Sequence, residues 1–453
     1  MPNSLYCLVV DSYESKKASL ARQVQTAHLS QFGIQKDTSN LFRKRPETRA
    51  AKIDVRHFNQ VLQVNPQEGY VEVEGMTPYA ALVDETLKHQ VMPGVVPELK
   101  SITIGGAVSG VGIESSSFRH GLVHETILEM DVLLSSGDVV TCSPDNEYRD
   151  LFYGLPNSYG TLGYILKLKA KTQPVKGFVH LTHYRHHHAA DFFVGLEEKC
   201  NSDADFVDGV IFGPDEFYVT TGQHTADAPR TSDYTFEHIY YQSIRNCEED
   251  FLTTHDYIWR WDTDWFWCSK NLGMQNPLLR RLAGRKRLNS TTYTRIMRWN
   301  ARHDYAKKLD RLRGLHTESV IQDICIPIGR ANEYLEFMFG EIGILPIWTC
   351  PARHLNTRAP TPLFPMNDDV LYIDFGFWDI LKTKTPREAG HFNKLIEAKT
   401  LELGGAKSLY SQSFYDRDTF WSIYNEPQYR ALKEKYDPGG RLRDLYEKCV
   451  TAA

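Results

Sequence analysis

The eight cysteines of this 453-residue chain fall singly, at positions 7, 142, 200, 247, 268, 325, 350 and 449, and none forms a C-x-x-C pair. That spacing argues against a zinc cage or a disulfide framework, so reduced and mostly buried thiols in a cytosolic protein are expected. No uncharged apolar run approaches the ~18 residues a membrane span needs. Met1-Pro2-Asn3-Ser4-Leu5 lacks the basic and apolar regions of a secretory signal. A chain-wide basic excess is also missing: 52 Lys and Arg stand against 57 Asp and Glu, for a net charge of −5. No nucleic-acid partner is therefore expected. There is no H-E-x-x-H or comparable ligand spacing, and Gly154-Leu-Pro-Asn-Ser158-Tyr-Gly160 is no nucleophile elbow, because the first glycine is too far from the serine. Neither repeats nor low-complexity tracts occur. What remains is an enzyme-sized globular composition, 42% hydrophobic and 24% charged, long enough for two or three domains at roughly 100–200 residues each.

Residues 1–177 read as α/β. Gly69 to Gly75 alternates as a half-buried strand does, and Thr77 to His89 has helical spacing with Pro78 where a helix start tolerates it. Leu128 to Leu134, the turn Ser135-Ser-Gly-Asp138 and Val139 to Cys142 predict a hairpin, and Tyr164 to Lys171 alternates again. Residues 178–390 are denser in aromatics, and strand-like runs at 208–212, 216–221, 319–327 and 370–376 flank a helical middle, which predicts a second α+β domain. A helix over 388–403 and a turn at 436–440 before a short last helix complete the chain, in a C-terminal segment 391–453.

The most informative stretch runs from Val95 to Gly121. A strand-like Ile102-Thr-Ile104 leads into Gly105, Gly106, Gly110 and Gly112, then Ser115, Ser116 and Ser117. A loop without Cβ atoms lets backbone N–H groups approach a diphosphate, although the same glycines also suit an ordinary tight turn. The spacing is neither the Rossmann G-x-G-x-x-G nor a Walker loop.

Taken in order, Thr103, Gly105-Gly106, Gly110, Gly112, Ser117, Gly121, a strand ending at Gly137-Asp138, Asp150-Leu-Phe152 and Gly160-Thr-Leu-Gly163-Tyr-Ile165 resemble the FAD-binding domain of the vanillyl-alcohol oxidase/p-cresol methylhydroxylase (PCMH-type) flavoproteins. Further blocks resemble Δ24-sterol reductase and its bacterial relatives: Gly112 to Ser117, Asp323 to Pro327, Leu345 to Pro351, Leu371 to Gly376, Ser408-Leu-Tyr410, Asp418 to Trp421 and Leu445 to Cys449. The run Leu99 to Val108 followed by Ser117 to Asp131 looks most like the actinobacterial flavoproteins that reduce a 10-methylene fatty acyl chain to its 10-methyl form.

The resemblance implies an α+β protein in which an α/β-type, two-subdomain FAD-binding domain faces an α+β cap with an antiparallel sheet, and the C-terminal segment returns to the flavin site. It implies FAD contacts from Thr38, Ser39 and Asn40, from Pro97 and Lys100, and from Thr103, Ile104, Gly105, Gly106 and Ala107. Gly110, Gly112, Ile113, Glu114, Ser115, Ser116 and Ser117 would follow, with Arg119, His120, Gly121, Gly160, Gly163, Tyr164, Ile165 and Tyr410. The early loop carries no histidine in an Arg-Gly-Gly-Gly-His-Ser-like setting, so non-covalent FAD is expected. The sterol reductases' N-terminal anchor is not expected either, because the chain begins almost directly at the flavin domain.

Saturating a carbon–carbon double bond needs a hydride on one carbon and a proton on the other, so a proton donor must lie near the flavin. Tyr410, Tyr372, His120 and Glu114 are the candidates, with Lys407 or Arg119 to stabilise anionic reduced flavin and Asp374 to orient a partner. Trp348, Phe375, Phe377 and Trp378 would suit an aliphatic substrate. The expected substrate is a lipid, a methylene-branched acyl chain of a phospholipid; the alternatives are a desaturase or oxidase of methylated acyl chains running the reverse direction, an oxidoreductase of a sterol-type or alcohol/alditol substrate, and a flavin-containing scaffold protein on membranes. No nicotinamide fingerprint is visible, which leaves NADPH, NADH or a partner reductase open as electron donor, and a methyltransferase is a second candidate partner.

Residues 270–313 hold thirteen Lys and Arg against Asp304 and Asp310, a local charge of +11. Trp259, Trp261, Trp265 and Trp267 lie just before it. Tryptophans beside a basic cluster suit the headgroup boundary of an anionic membrane, and buried cap-domain core is the competing reading. Cytoplasmic localisation with peripheral contact at the inner face of the cell membrane follows as the expectation. The run from His180 to His188 invites a metal, but alternation puts His180 and His186 on one strand face and His183 on the other, so a cap-entering strand and no metal is expected.

Overall fold

Period-two patterning makes the strands of this chain, and the face that each sheet buries follows from which set of side chains is apolar. The computed structural model describes residues 12–26, 30–39, 42–43, 50–303, 308, 310, 312–355 and 361–450, apart from the side chains of 300–303. Near the N-terminus β1 (Phe32–Gln35) pairs in parallel with β2 (Ala51–Asp54). Then β3 (Val61–Asn65), β4 (Tyr70–Glu74), β6 (Ile127–Leu133), β7 (Val139–Cys142) and β8 (Tyr164–Pro174) build an antiparallel sheet in the order β3-β4-β8-β6-β7, with β5 (Val91–Pro93) on β8. The expected hairpin is present: Leu133 faces Val139 and Met130 faces Cys142 across Gly137, whose φ of +95° favours a residue without Cβ. The helix after Pro78 runs Tyr79–Leu87.

The cap is an eight-stranded antiparallel sheet. It comprises β9 (Phe178–His186), β10 (Phe206–Gly213), β11 (Glu216–Thr225), β12 (Glu249–Thr253), β13 (His316–Pro327), β14 (Ile347–Arg353), β15 (Leu371–Thr383) and β16 (Ala406–Lys407), in the order β12-β9-β11-β10-β14-β15-β13-β16. One face is apolar: Val207, Val219, Ile324, Ile347, Phe375 and Phe377 pack beneath helices Ala189–Cys200, Ile328–Phe337 and His391–Glu402. Each such side chain contributes about 1.5–3 kcal/mol by leaving water. The other face is unusually polar, with Asp208, Asp323, Asp374, Trp348 and Trp378, and it looks toward the flavin-type domain. Alternation along β15 therefore sends Phe375 and Phe377 away from the face that holds Asp374 and Trp378, which corrects their expected place beside a substrate.

The tryptophans ahead of the basic segment are core. Trp259, Trp261, Trp265 and Trp267 are all buried, so none reaches a membrane boundary. Part of the segment's charge is also absorbed: Arg280 is buried on the Phe236 and Met274 carbonyls, Arg281 pairs with Glu237 (3.0 Å), Arg285 with Asp233 (2.8 Å) and Lys270 with Asp379 (2.7 Å). The histidines of β9 diverge: His180 stacks on Phe251 with 4.4 Å between ring centres, while His183 bonds Thr220 across the other face. Among the described residues no helix is long and apolar enough to cross a membrane.

The C-terminal segment ties the two units together. β16 adds to the edge of β13, and helix Glu426–Tyr436 packs on helix Arg149–Gly154, where Lys435 and Tyr436 both reach Asp150 (2.7 and 2.6 Å). Lys407, fully buried, is held by Glu397 and by the Gln412 carbonyl at 2.5 Å. Removing one partner of a buried ion pair strands the other, so Glu397→Ala is expected to lower unfolding free energy by about 3–5 kcal/mol. Chemical denaturation checks this, and an unchanged midpoint would refute the structural role given to Lys407.

Candidate functional site

Between the polar face of the cap sheet and the glycine-rich turn of the first domain lies a cleft enclosing about 1270 Å³, part of it open to solvent. Its floor is built by residues 97–99, helix Ile104–Gly110 and the following 111–114, its near side by Lys36, Thr38, Ser39 and Phe42, and its roof by β13, β14, β15, Ser408 and Tyr410. Trp265 and Phe266 enter from the helical insert, on a backbone that turns left-handed through Trp265, Phe266 and Trp267 (φ of 49°, 48° and 55°). Such residues cost roughly 1–3 kcal/mol each and persist where packing over-determines them. Here the rings do so: Trp261 stacks on Phe266 (4.8 Å), and Phe266 meets Trp378 (4.5 Å) and Trp348 (5.4 Å).

One end of the cleft is cationic and short of side-chain bulk. A Cβ on Gly106 would stand 2.8 Å from the Thr103 hydroxyl and 4.0 Å from the Lys36 ammonium. The buried hydroxyls of Thr103 and Ser39 and one terminal nitrogen of Arg43 have no hydrogen-bond partner. Arg43 and Lys36 also lie near enough to Lys448 to help depress its ammonium, which burial first pushes down to about 7. The Lys36 ammonium at this floor, with Arg43 behind it, is suited to a diphosphate.

The other end is acidic. Asp323 and Asp374 are diagonal neighbours on one face of β13 and β15, and one oxygen of each, Oδ1 of Asp323 and Oδ2 of Asp374, is buried without a partner. The remaining Asp374 oxygen accepts from the Cys325 thiol at 3.4 Å. Trp378 donates to the Tyr410 hydroxyl (3.1 Å), and Tyr410 in turn bonds Asp323. Burial pushes the Asp374 carboxyl up to about 7, and burial together with the Asp374 charge raises Asp323 well above the usual carboxylate range. Although Asp323 keeps some exposure to the cleft, protein walls it in on most sides, so desolvation governs. The pair keeps a proton near neutral pH.

Along the floor, Arg260 is fully buried among Glu98, Glu114 (3.1 Å) and Asp208 (2.7 Å), beneath the Tyr257 ring at 4.3 Å. One guanidinium cannot neutralise three carboxylates. Burial raises both Glu98 and Glu114, opposed by Arg260 and reinforced by the neighbouring acids.

The structure sorts the sequence-derived site residues into two shells. Thr38, Ser39, Pro97, Thr103, Gly106, Ala107, Gly110, Gly112, Ile113, Glu114 and Tyr410 line the cleft. Behind them, the N–H groups of Ile104 and Gly105 are already taken by the Thr77 and Gly75 carbonyls. Lys100 pairs with Asp262 at 3.0 Å. Ser115 bonds Tyr257, Ser116 the Gly94 carbonyl, and Ser117 accepts the Glu114 N–H. Arg119 pairs with Asp205 (2.9 Å) and His120 packs by Gly94. Gly121 and Gly160 adopt positive φ, Gly163 abuts Val132, and Tyr164 and Ile165 are core. Of the proposed proton donors, Tyr410 and Glu114 reach the cleft. Tyr372 lies behind it, accepting the Asn367 N–H at 3.0 Å, and Lys407 is committed to Glu397. Asn40 lies outside the described residues. Sequence reasoning missed Lys36, Glu98 and Asp323 as site groups; the Asp323 to Pro327 block was the available signal.

Comparison with known proteins gives the cleft its context. Residues 26–143 match the FAD binding domain family. The chain is 24% identical over 436 residues to Delta(24)-sterol reductase of Arabidopsis thaliana, covering 88% of this chain and 76% of that protein. It is 26% identical over 415 residues to the Homo sapiens protein of the same name, with 87% and 76% covered. Over 147 residues it is 32% identical to cytokinin dehydrogenase 7 of Oryza sativa subsp. japonica, covering 31% and 28%. The cationic end, with Thr103, Gly106, Ser39 and Lys36, fits the diphosphate of FAD. A branched side chain there would occupy that space, so Gly106→Val is expected to purify with FAD content at least about tenfold below wild type. The visible flavin absorbance per protein reads this out, and full occupancy would move the diphosphate elsewhere.

Proposed function

We propose that this FAD-binding protein reduces a carbon–carbon double bond in a lipid, and that the substrate is a methylene-branched fatty acyl chain of a phospholipid, converted from the 10-methylene to the 10-methyl form. The observation that carries the reading is the buried acid pair Asp323 and Asp374, with Tyr410, at the end of a cleft walled by Trp265, Phe266, Trp348 and Trp378. Those rings accept an aliphatic chain and exclude water, and the acids beside them hold a proton. Two of the relatives are named as reductases of a sterol, which is also a lipid.

When bound, reduced FAD supplies the hydride. The chain's own part is the proton. An isolated 1,1-disubstituted alkene accepts hydride poorly, whereas protonation at its terminal carbon creates a tertiary centre that accepts it readily. Asp323 delivers its proton, directly or through Tyr410, and Asp374 keeps the pair loaded because two adjacent carboxylates cannot both ionise in a desolvated site. Trp378 orients the Tyr410 hydroxyl by its indole N–H. Solvent returns the proton after turnover.

The test is anaerobic: photoreduce the holoprotein, add vesicles carrying 10-methylene acyl phospholipid, and follow flavin reoxidation and product. Reoxidation with 10-methyl product is the expected outcome. Reduced flavin that ignores the lipid yet reacts rapidly with oxygen would favour the reverse, oxidase direction, and NADPH or NADH in place of light tests the electron donor.

Asp323→Asn is expected to retain the flavin spectrum and lose about 10²–10⁴-fold in turnover, whereas wild-type turnover would refute the donor assignment. Burial and the Asp374 charge hold the donor Asp323 well above the usual carboxylate range, so turnover should persist as Asp374 ionises near pH 7 and fall only at more alkaline pH, and this alkaline limb should move to lower pH in Asp374→Asn. The raised Asp374 value also has a stability consequence. The unfolded chain loses this proton near the ordinary 3.8, so wild-type stability declines from about pH 4 to about pH 7, and Asp374→Asn should flatten that decline.

A further inference from the structure

The helical insert between β12 and β13 has one side in the cleft and another in solvent, and the two differ sharply in character. On helix Ser290–His303, Tyr293 is buried and stacks on the cleft-lining Trp265, and Arg298 donates to the carbonyl of Ser39, another cleft residue. The same helix turns Arg295, Ile296 (40% exposed) and Trp299 (55% exposed) outward. On helix Pro277–Ala283, Leu278 and Leu282 share one face four residues apart and are 68% and 80% exposed, while Arg280 anchors the opposite side. Exposed Lys286 and Arg287 lie between the two helices. No Asp or Glu occurs from Trp265 to His303, although Glu237 and Asp233 neutralise Arg281 and Arg285 from outside.

We propose that this outward surface docks on an anionic phospholipid bilayer, with Leu278, Leu282 and Ile296 entering the headgroup boundary and Lys286, Arg287 and Arg295 meeting lipid phosphates. The buried tryptophans of the preceding stretch take no part. Exposed leucines beside Lys286, Arg287 and Arg295, with Glu237 and Asp233 already spent on Arg281 and Arg285, match a surface that is apolar beneath and negative above. A protein partner would need its own acidic rim. Because Ser290–His303 packs directly behind the cleft-lining Trp265 and Ser39, a docked bilayer lies on the side of the molecule that these residues wall, which shortens the path of an acyl chain to the cleft. The docking surface stands on exposure and charge alone, whereas its role as an entry route rests on the lipid reading above.

The experiment uses the full-length, FAD-loaded protein in co-sedimentation with vesicles of phosphatidylcholine alone or mixed with phosphatidylglycerol. Binding is expected with phosphatidylglycerol at low salt and is expected to fall as salt rises. The double variants Leu278→Ser/Leu282→Ser and Lys286→Glu/Arg287→Glu should each bind about tenfold or more weakly while keeping the wild-type flavin spectrum. No pelleting, equal binding to both vesicle types, or variants that bind like wild type would overturn the proposal. So would a dimer in solution that the leucine double variant dissolves, since a second copy would then cover the patch. Turnover separates the two claims: vesicle binding without reduction of vesicle-borne lipid leaves the surface standing and sinks the reductase reading. Reduction of detergent-dispersed lipid by a protein that ignores vesicles does the opposite.

Discussion

A desolvated guanidinium joins the two halves of this molecule. Arg260 comes from the helical insert, Glu98 and Glu114 from the floor of the cleft, and Asp208 from the central part of the cap sheet. Removing Arg260 leaves three buried carboxylates without a counter-charge, a loss that typically costs several kcal/mol, so the relative placement of floor and cap is held by electrostatics as well as by apolar packing. Trp348 donates to the same Asp208, and the β10 backbone takes a further bond from Val207 N–H to Ser115 O across the join. The cleft has its width because this cluster sets it.

The cap sheet shows why the cleft's chemistry is possible. Its apolar face is covered by three helices, which leaves the sheet rigid without demanding that the second face be apolar too. That second face can therefore carry acids, and its roof position over the cleft desolvates them. A carboxyl at about 7 is the result of place, since Asp379, on the same strand but at its partly exposed end, pairs instead with Lys270 at 2.7 Å. Charge is divided along the cleft in the same way, with the Lys36 ammonium at the Gly106 end and protonatable acids at the other.

The local elements were legible in the sequence. The hairpin at 128–142, the helix after Pro78, the strands at 208–212 and 319–327 and the glycine-rich turn all announced themselves through alternation and turn residues. About half of the residues carried by resemblance line the cleft, because the glycine-rich block is contiguous and its conformation is local. The others failed to reach it for physical reasons: the serines 115–117 serve neighbouring backbone and side chains, and Lys407 is neutralised by Glu397. Phe375 and Phe377 point the wrong way because a strand sends successive side chains to opposite faces, and no sequence feature of β15 says which face the cap will cover.

By itself the sequence determined the class of the molecule, the flavin-type turn and the concentration of basic charge before β13. Only the tertiary structure decided which of those charges are spent internally, that the four tryptophans are buried while Leu278 and Leu282 are not, and that Asp323, Asp374 and Tyr410, up to 87 residues apart, share one desolvated site. The difference lies in range. Turn chemistry and periodicity act over a few residues, whereas burial and the protonation of a carboxyl depend on what distant strands bring alongside.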